Sequence, residues 1–255
     1  MSASTKLRNL LRLFGFDMVA FLKATAGLPK FGRTLLQYRR ACSADDIRFE
    51  WASLNPILGD FQQQAGSCGE YFLQDLWASR LIFKEHPREH VDIGSRIDGF
   101  VAHVLTFMPV TVIDIRPLSS AIPGLTSRQE DATELAGIAD NTVESISSLS
   151  AAEHFGLGRY GDPIQPGASR RFMHALARVL RPGGRLYFSV PVGRERLCFN
   201  AHRVFAPSTV LEAFSELDLL SFSYIDPQDG FHPGVAPQRC SNLEYSCGLF
   251  EFTKR

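Results

Sequence analysis

From residue 88 onward, short apolar runs alternate with amphipathic stretches. "HVDIG" (90–94) reads as a strand that ends in glycine, and "IDGFVAHVLTF" (97–107) as a helix. "VTVIDI" (110–115), bounded by Pro109 and Pro117, is a second strand. "TSRQEDATEL" (126–135) holds a short strand and a polar loop, and "TVESISSLS" (142–150) is a buried strand. "ASRRFMHALARVLRPGG" (168–184) is a helix with a Gly-Gly stop, followed by the strand "RLYFSVPVG" (185–193). "PSTVLEAFSEL" (207–217) is a helix with Pro at its start and Ser208 or Thr209 near its cap. Two late strands, "LLSFSYID" and "EYSCGLFEFTK", lack a full helix between them. Strand–helix alternation from 88 to 190 predicts a mostly parallel α/β sheet with helices on both faces, and the late pair predicts an antiparallel edge hairpin.

Upstream, "GEYFLQDLWASRLIFKEHP" (69–87) predicts a helix with Phe72, Leu76, Ser79 and Phe83 on one face and Pro87 as its stop. Leu7, Leu10, Leu11, Phe14, Met18, Phe21 and Leu22 recur at spacings of three and four, one face of a first helix. "GLPKFG" (27–32) predicts a break before the next helix, and "SLNPILGD" (53–60) a loop. The chain therefore divides into an N-terminal helical extension, 1–68, and an α/β domain, 69–255.

Charge changes this picture only at the N-terminus. Lys plus Arg and Asp plus Glu both total 27, which gives no general attraction to nucleic acid. Residues 1–40, however, carry Lys6, Arg8, Arg12, Lys23, Lys30, Arg33, Arg39 and Arg40 against Asp17 alone. A basic amphipathic helix either lies on an anionic membrane surface or packs on its own domain or a second subunit. No apolar run is long enough to span a bilayer and no signal peptide is evident. The five cysteines form no C-x-x-C pair. These features predict a cytoplasmic protein, peripheral at the inner membrane face if the helix binds lipid, with reduced thiols and no metal site.

In a doubly wound sheet, ligands sit beyond the carboxyl ends of the strands. Asp92, Gly94, Ser95 and Arg96 follow the first strand, where glycine allows a tight turn or a close backbone approach to a ligand. Asp114, with Ile115 after it, ends the second strand; it either accepts hydrogen bonds from ribose hydroxyls or caps the turn "IRPL". Asp131 and Ala132 follow the third; Asp131 takes an adenine amino group or caps a helix. After the fourth comes "SLSAAEHFGLGRYGDP", with Ser148, Glu153, His154, Arg159, Tyr160 and Asp162. His154 is the candidate general base and Glu153 its orienter or substitute; otherwise the pair shapes the loop. His202 and Arg203 follow the fifth strand at the same end. There is no H-E-x-x-H and no G-x-S-x-G.

The ordered set "VDIGSRIDG", "VIDI", "DATEL", "VESISSLSAAEHF" and "LRPGGRLYFSVP" resembles class I S-adenosylmethionine-dependent methyltransferases over about residues 88–253. Within them, "YFLQDLWASRLI", "HVDIGSRIDGFVAHVL", "VTVIDIRPL" and "SLSAAEHFGLGRYGDPI" are similar to a little-characterised methyltransferase-like family found among polysaccharide-biosynthesis proteins. The resemblance implies a Rossmann-like sheet of seven strands and S-adenosylmethionine as cofactor. It also implies O-methylation of a saccharide or lipid-linked glycan. Asp92 and Gly94 would face the methionine end of the cofactor, Asp114 the ribose, and Asp131–Ala132 the adenine. Ser148 to His154 would line the methyl path. By their place at this end of the sheet, Arg159, Tyr160, Asp162, His202 and Arg203 are the candidates to hold the acceptor. The family loop has glycines where this chain has Arg96 and Asp98, with Gly99 one residue late. Arg96 would then either pair with the cofactor carboxylate or fill the space of its tail. In the second case the chain would be a non-catalytic scaffold in a glycan assembly complex; a nicotinamide-dependent oxidoreductase is the third reading.

Overall fold

The computed structural model describes residues 11–43, 46, 47, 49–59, 66, 68–119 and 121–255. The chain divides into two compact units, Met1–Ser67 and Cys68–Arg255. In the first, helix α1 spans Met18–Ala41. Asp17 caps it, accepting from the N–H groups of Val19 (2.9 Å) and Ala20 (3.1 Å). Arg39 and Arg40 occupy its last turn, where the helix dipole favours cations.

Two expectations are corrected here. Pro29 lies inside α1 and does not end it; one missing N–H is tolerated within a helix of 24 residues. The break comes earlier, at Gly15, whose φ of +80° turns the chain before Asp17 restarts it. The apolar stripe drawn through Phe14 and Met18 is therefore interrupted, and its members Leu7 and Leu10 lie outside the described residues. Among the described residues no helix is long and apolar enough to cross a membrane.

The second unit is built on one sheet. Its strands are β1 (His90–Ile93), β2 (Val110–Asp114), β3 (Leu125–Gln129), β4 (Val143–Leu149), β5 (Leu180–Val192), β8 (Leu217–Ile225), β9 (Phe231–His232) and β10 (Ser246–Lys254). They lie in the order β3-β2-β1-β4-β5-β10-β8-β9. The first five are mutually parallel, and β10 runs antiparallel to both β5 and β8. The mostly parallel sheet with its antiparallel hairpin matches the expectation. The eighth strand is the two-residue β9, too short to leave a periodic signal. A separate hairpin pairs β6 (Arg196–Cys198) with β7 (His202–Val204).

Apolar side chains cover both faces, as a parallel sheet requires. One core holds Ile146, Phe172, Leu176, Phe188, Phe214 and Phe250, contributed by β4, β5, β10, helix α4 (Ala168–Val179) and the residue that caps the end of helix α5 (Pro207–Ala213). The other holds Ala78, Ile82, Phe100, Val104, Val112 and Tyr187. It packs under α2 (Glu70–Glu85) and under a π-turn at Ile97–Val101 that runs into α3 (Ala102–Leu105).

Helix α2 turns a different face inward from the one its apolar spacing predicts. Gln74, Asp75, Ala78, Ser79 and Ile82 are buried, while Phe72 and Phe83 are about half exposed. The polar pair is accommodated because Gln74 finds partners at the strand ends, which offsets its desolvation. Two helix ends also move. Helix α4 stops at Val179 and β5 begins at once, with Leu180 opposite Val143 and an irregularity before Ser145. In α5 the cap position is Ala206, and Glu195 replaces a capping side chain by accepting from the Ala206 N–H (3.0 Å) and the Thr209 hydroxyl.

Candidate active site

A cavity of about 100 Å³ opens at the carboxyl ends of β1, β2, β3 and β4. Gly94, Asp114, Ile115, Asp131, Ala132, His154, Tyr160 and Asp162 line it, as do Arg116, Thr133 and Ser150. The topology explains the gathering: each residue follows a parallel strand, so all arrive at one end of the sheet.

Gly94 sits where no side chain fits comfortably. Its φ is +70°, and a Cβ there would stand 3.2 Å from Ala151 Cβ. The displaced Gly99 has another cause. A Cβ at residue 99 would collide with the carboxylate of Asp75, which α2 presses against this turn. Gly99 thus serves helix packing, not the cavity.

Arg96 lies at the surface beside the loop. Its Nη2 pairs with Asp98 Oδ2 (3.1 Å), its guanidinium lies 4.9 Å over the Tyr71 ring, and it does not line the cavity. Asp92 and Ser95 stand behind the loop and outside the lining. Asp92 is fully buried and accepts from Ser95 Oγ (2.5 Å), Ser147 Oγ (2.5 Å) and the Ser95 N–H (3.1 Å). Burial pushes its carboxyl up to about 6, against those hydrogen bonds. Ser147 continues to His90 Nε2 (2.8 Å), and His90 Nδ1 meets Ser145 Oγ (2.8 Å). Because the Ser147 hydroxyl donates to Asp92, His90 must donate through Nε2. His90, at the far end of β1, thereby helps fix the loop after it. Ser148 is fully buried within β4, its hydroxyl unpartnered, and is not part of the lining.

Asp114 reaches the cavity but is engaged by a residue that sequence reasoning missed. Arg116 donates to it from its backbone N–H (2.8 Å), Nε (2.9 Å) and Nη2 (2.7 Å). Burial raises the Asp114 carboxyl, and the Arg116 contacts outweigh that and leave it lowered. The Arg116 guanidinium also lies 4.8 Å over the ring of Tyr160, another lining residue. Asp131 accepts from the Thr133 N–H (2.9 Å), which turns backbone 131–133 along the wall.

His154 lies on a 3₁₀ turn, Ala152–His154. Its Nδ1 is 2.7 Å from the Ala201 carbonyl on the β6–β7 connection. A carbonyl only accepts, so Nδ1 carries the proton and Nε2 keeps a lone pair. Burial holds this imidazole down at about 4; Arg159, His202 and Arg203 push the same way, against the Ala201 hydrogen bond. It is therefore neutral at pH 7. Glu153 Oε1 lies 3.7 Å from His154 Nε2, and Glu153 Oε2 is buried without a partner. Burial, aided by the Glu70 carboxylate, pushes Glu153 up to about 8, so it is a neutral acid at pH 7. Glu153 stands behind the lining, not in it.

The predicted acceptor residues separate. Tyr160 and Asp162 line the cavity, and Asp162 accepts from the N–H groups of Tyr160 (3.1 Å) and Gly158 (3.2 Å). Arg159 stacks on Tyr160 and donates to Ala201 O (3.1 Å), outside the cavity. His202 lies on β7, edge-on to Tyr245 and outside the lining. Arg203 is a clamp: it donates to Glu153 O (3.2 Å), Phe155 O (2.7 Å), Ser169 Oγ (2.9 Å) and Pro166 O (3.2 Å). Gln74, also missed, ties three strand ends together. Its Oε1 accepts from Ser150 Oγ (2.6 Å) and Ser189 Oγ (2.7 Å), with Cys247 Sγ at 3.5 Å.

The strand order and this cleft define the class I S-adenosylmethionine-dependent methyltransferase fold. The chain is similar to the Burkholderia thailandensis 1,6-didemethyltoxoflavin-N1-methyltransferase, solved with 1,6-didemethyltoxoflavin and S-adenosylhomocysteine. That likeness has a TM-score of 0.53 at 17% identity, over 71% of this chain and 78% of that one. It is similar also to the N-methyltransferase NodS from Bradyrhizobium japonicum WM9, solved with S-adenosylhomocysteine. There the TM-score is 0.52 at 15% identity, over 73% and 88% of the two chains. In sequence, the family described as "Caenorhabditis protein of unknown function, DUF268" matches residues 129–228. No curated protein matches the sequence.

Proposed function

We propose that this chain is an S-adenosylmethionine-dependent methyltransferase that methylates a hydroxyl group of a saccharide or lipid-linked glycan. The observation that carries the reading is the set of Gly94, Asp114, Asp131–Thr133 and His154 around one cleft of this fold. The residues fit the cofactor. Gly94 leaves the loop backbone bare at the cavity wall, Asp114 offers a carboxylate at the end of β2, and 131–133 offer a backbone edge. S-adenosylmethionine, when bound, supplies an electrophilic methyl group. Asp114 would hold the ribose hydroxyls and the 131–133 wall the adenine. His154, neutral and with Nε2 free, accepts the proton that the acceptor hydroxyl loses as its oxygen is alkylated. Glu153 behind it keeps Nε2 beside a carboxyl group. The saccharide assignment is supported by the resemblance of residues 70–164 alone.

The Asp114–Arg116 pair favours a second reading, a non-catalytic methyltransferase-like scaffold, because that carboxylate already has a partner. Calorimetric titration with S-adenosylmethionine and S-adenosylhomocysteine, with NADH as control, separates the two. Micromolar binding of either sulfur compound is the expected result; absence of binding, with and without saccharide, overturns the enzyme reading. His154→Ala should spare cofactor binding and slow turnover by about 10²–10⁴-fold.

A further inference from the structure

A second cavity, of about 700 Å³, is lined in part by Arg203, which donates to carbonyls of the loop that carries His154. It runs between the first turns of α4, the β6–β7 hairpin and α5. Its walls carry Arg170, Arg171, Arg196, Arg203 and His174, against one carboxylate, Glu195.

The charges do not cancel. Glu195 is occupied by the Ala206 N–H and the Thr209 hydroxyl. Arg171 is paired with Glu134. Arg203 donates only to carbonyls and a hydroxyl, and the carboxylate that acts on its charge, Asp162, lies in the other cavity. Arg196 has one hydrogen bond, to the Arg194 carbonyl (2.9 Å). Among the described residues neither Arg196 nor Arg170 has a carboxylate at ion-pair distance. The positive field reaches beyond the groove: after burial, Arg196 and Arg159 are what hold the His202 imidazole down.

Two guanidiniums without a carboxylate partner, Arg170 and Arg196, share one concave surface with Arg203, and like charges so placed repel until an anion enters. Guanidinium forks match the oxygens of a phosphate in geometry and charge. The volume exceeds one phosphate and suits a small phosphorylated molecule.

We propose that this groove binds the phosphate group of a phosphorylated ligand, through Arg170 and Arg196, with Arg203 as the fixed charge at its base. That the ligand is the acceptor of the cleft rests on the methyltransferase reading; the site itself does not.

The test is titration of the full chain with inorganic pyrophosphate at low and at physiological salt, without cofactor. Saturable binding that weakens with salt is expected. The Arg170→Ala/Arg196→Ala chain should bind about 100-fold more weakly, roughly tenfold per lost charged contact. Arg80→Ala, on an exposed position of α2, should bind like the parent chain, and all chains should melt alike. S-adenosylhomocysteine affinity of the double variant should be unchanged, which keeps failure here distinct from failure of the cleft. Two further probes name the source of the phosphate. Stronger binding of glucose 1-phosphate supports a soluble ester, and stronger binding to phosphatidic acid vesicles supports a lipid headgroup. No saturable pyrophosphate binding at low salt, or equal binding by the double variant, overturns the proposal.

Discussion

The carboxylate of Asp114 is gripped by Arg116, two residues further on, through Nε to Oδ1 at 2.9 Å and Nη2 to Oδ2 at 2.7 Å. The carboxylate proposed to take the ribose is therefore held by the chain itself, under a guanidinium that also lies over Tyr160. A cofactor entering the cleft must compete with Arg116 or displace it.

Removing this competitor should tighten cofactor binding. Arg116 is more than half exposed, so its pair is worth about 0.2–1 kcal/mol. Arg116→Ala should thus improve S-adenosylhomocysteine affinity by up to about fivefold by calorimetry, whereas Asp114→Ala should weaken it. A loss of affinity in Arg116→Ala would show that the guanidinium contacts the ligand.

Glu153 gives the stability profile a direction. Its folded carboxyl titrates at about 8 against a reference of 4.5, so the folded state binds the proton more tightly than the unfolded chain. The stability this contributes is complete below pH 4.5 and is lost as pH rises towards 8. Glu153→Gln should flatten that decline by an amount on the order of a few kcal/mol at pH 8.5, in urea unfolding at pH 5, 6.5 and 8.5. Parallel profiles for the two chains would mean that Glu153 ionises without penalty.

Gly99 and Asp75 should be coupled. Gly99→Ala drives a methyl group into the Asp75 carboxylate and should cost about 1–3 kcal/mol. In Asp75→Ser/Gly99→Ala the second change should cost much less, because the shorter side chain leaves room. A double-mutant cycle on denaturant midpoints reads the interaction, and additive effects would exclude it.

Ser147→Ala should strip one partner each from Asp92 and His90. Each buried group left wanting costs about 1–3 kcal/mol, so the expected thermal destabilisation exceeds that of Ser148→Ala, whose hydroxyl has no partner to lose. Equal losses at the two serines would remove the network from the account of the loop.

What the sequence by itself determined is the alternation of strands and helices after residue 88, and with it the end of the sheet where the cleft lies. Chain order suffices for that, because residues directly following parallel strands share one face. Gly94, Asp114, Asp131, Ala132 and His154 were legible on this ground. The tertiary structure alone decided where the long side chains point. Arg96 turns to Tyr71, Arg203 to the loop carbonyls, and Arg116 back onto Asp114, since a guanidinium on a flexible stem takes the nearest acceptors that packing supplies. Gln74 was hidden for the same reason: its partners Ser150 and Ser189 lie 76 and 115 residues away. Its helix faces inward along the stripe that satisfies those partners, and not along the one that apolar spacing marks.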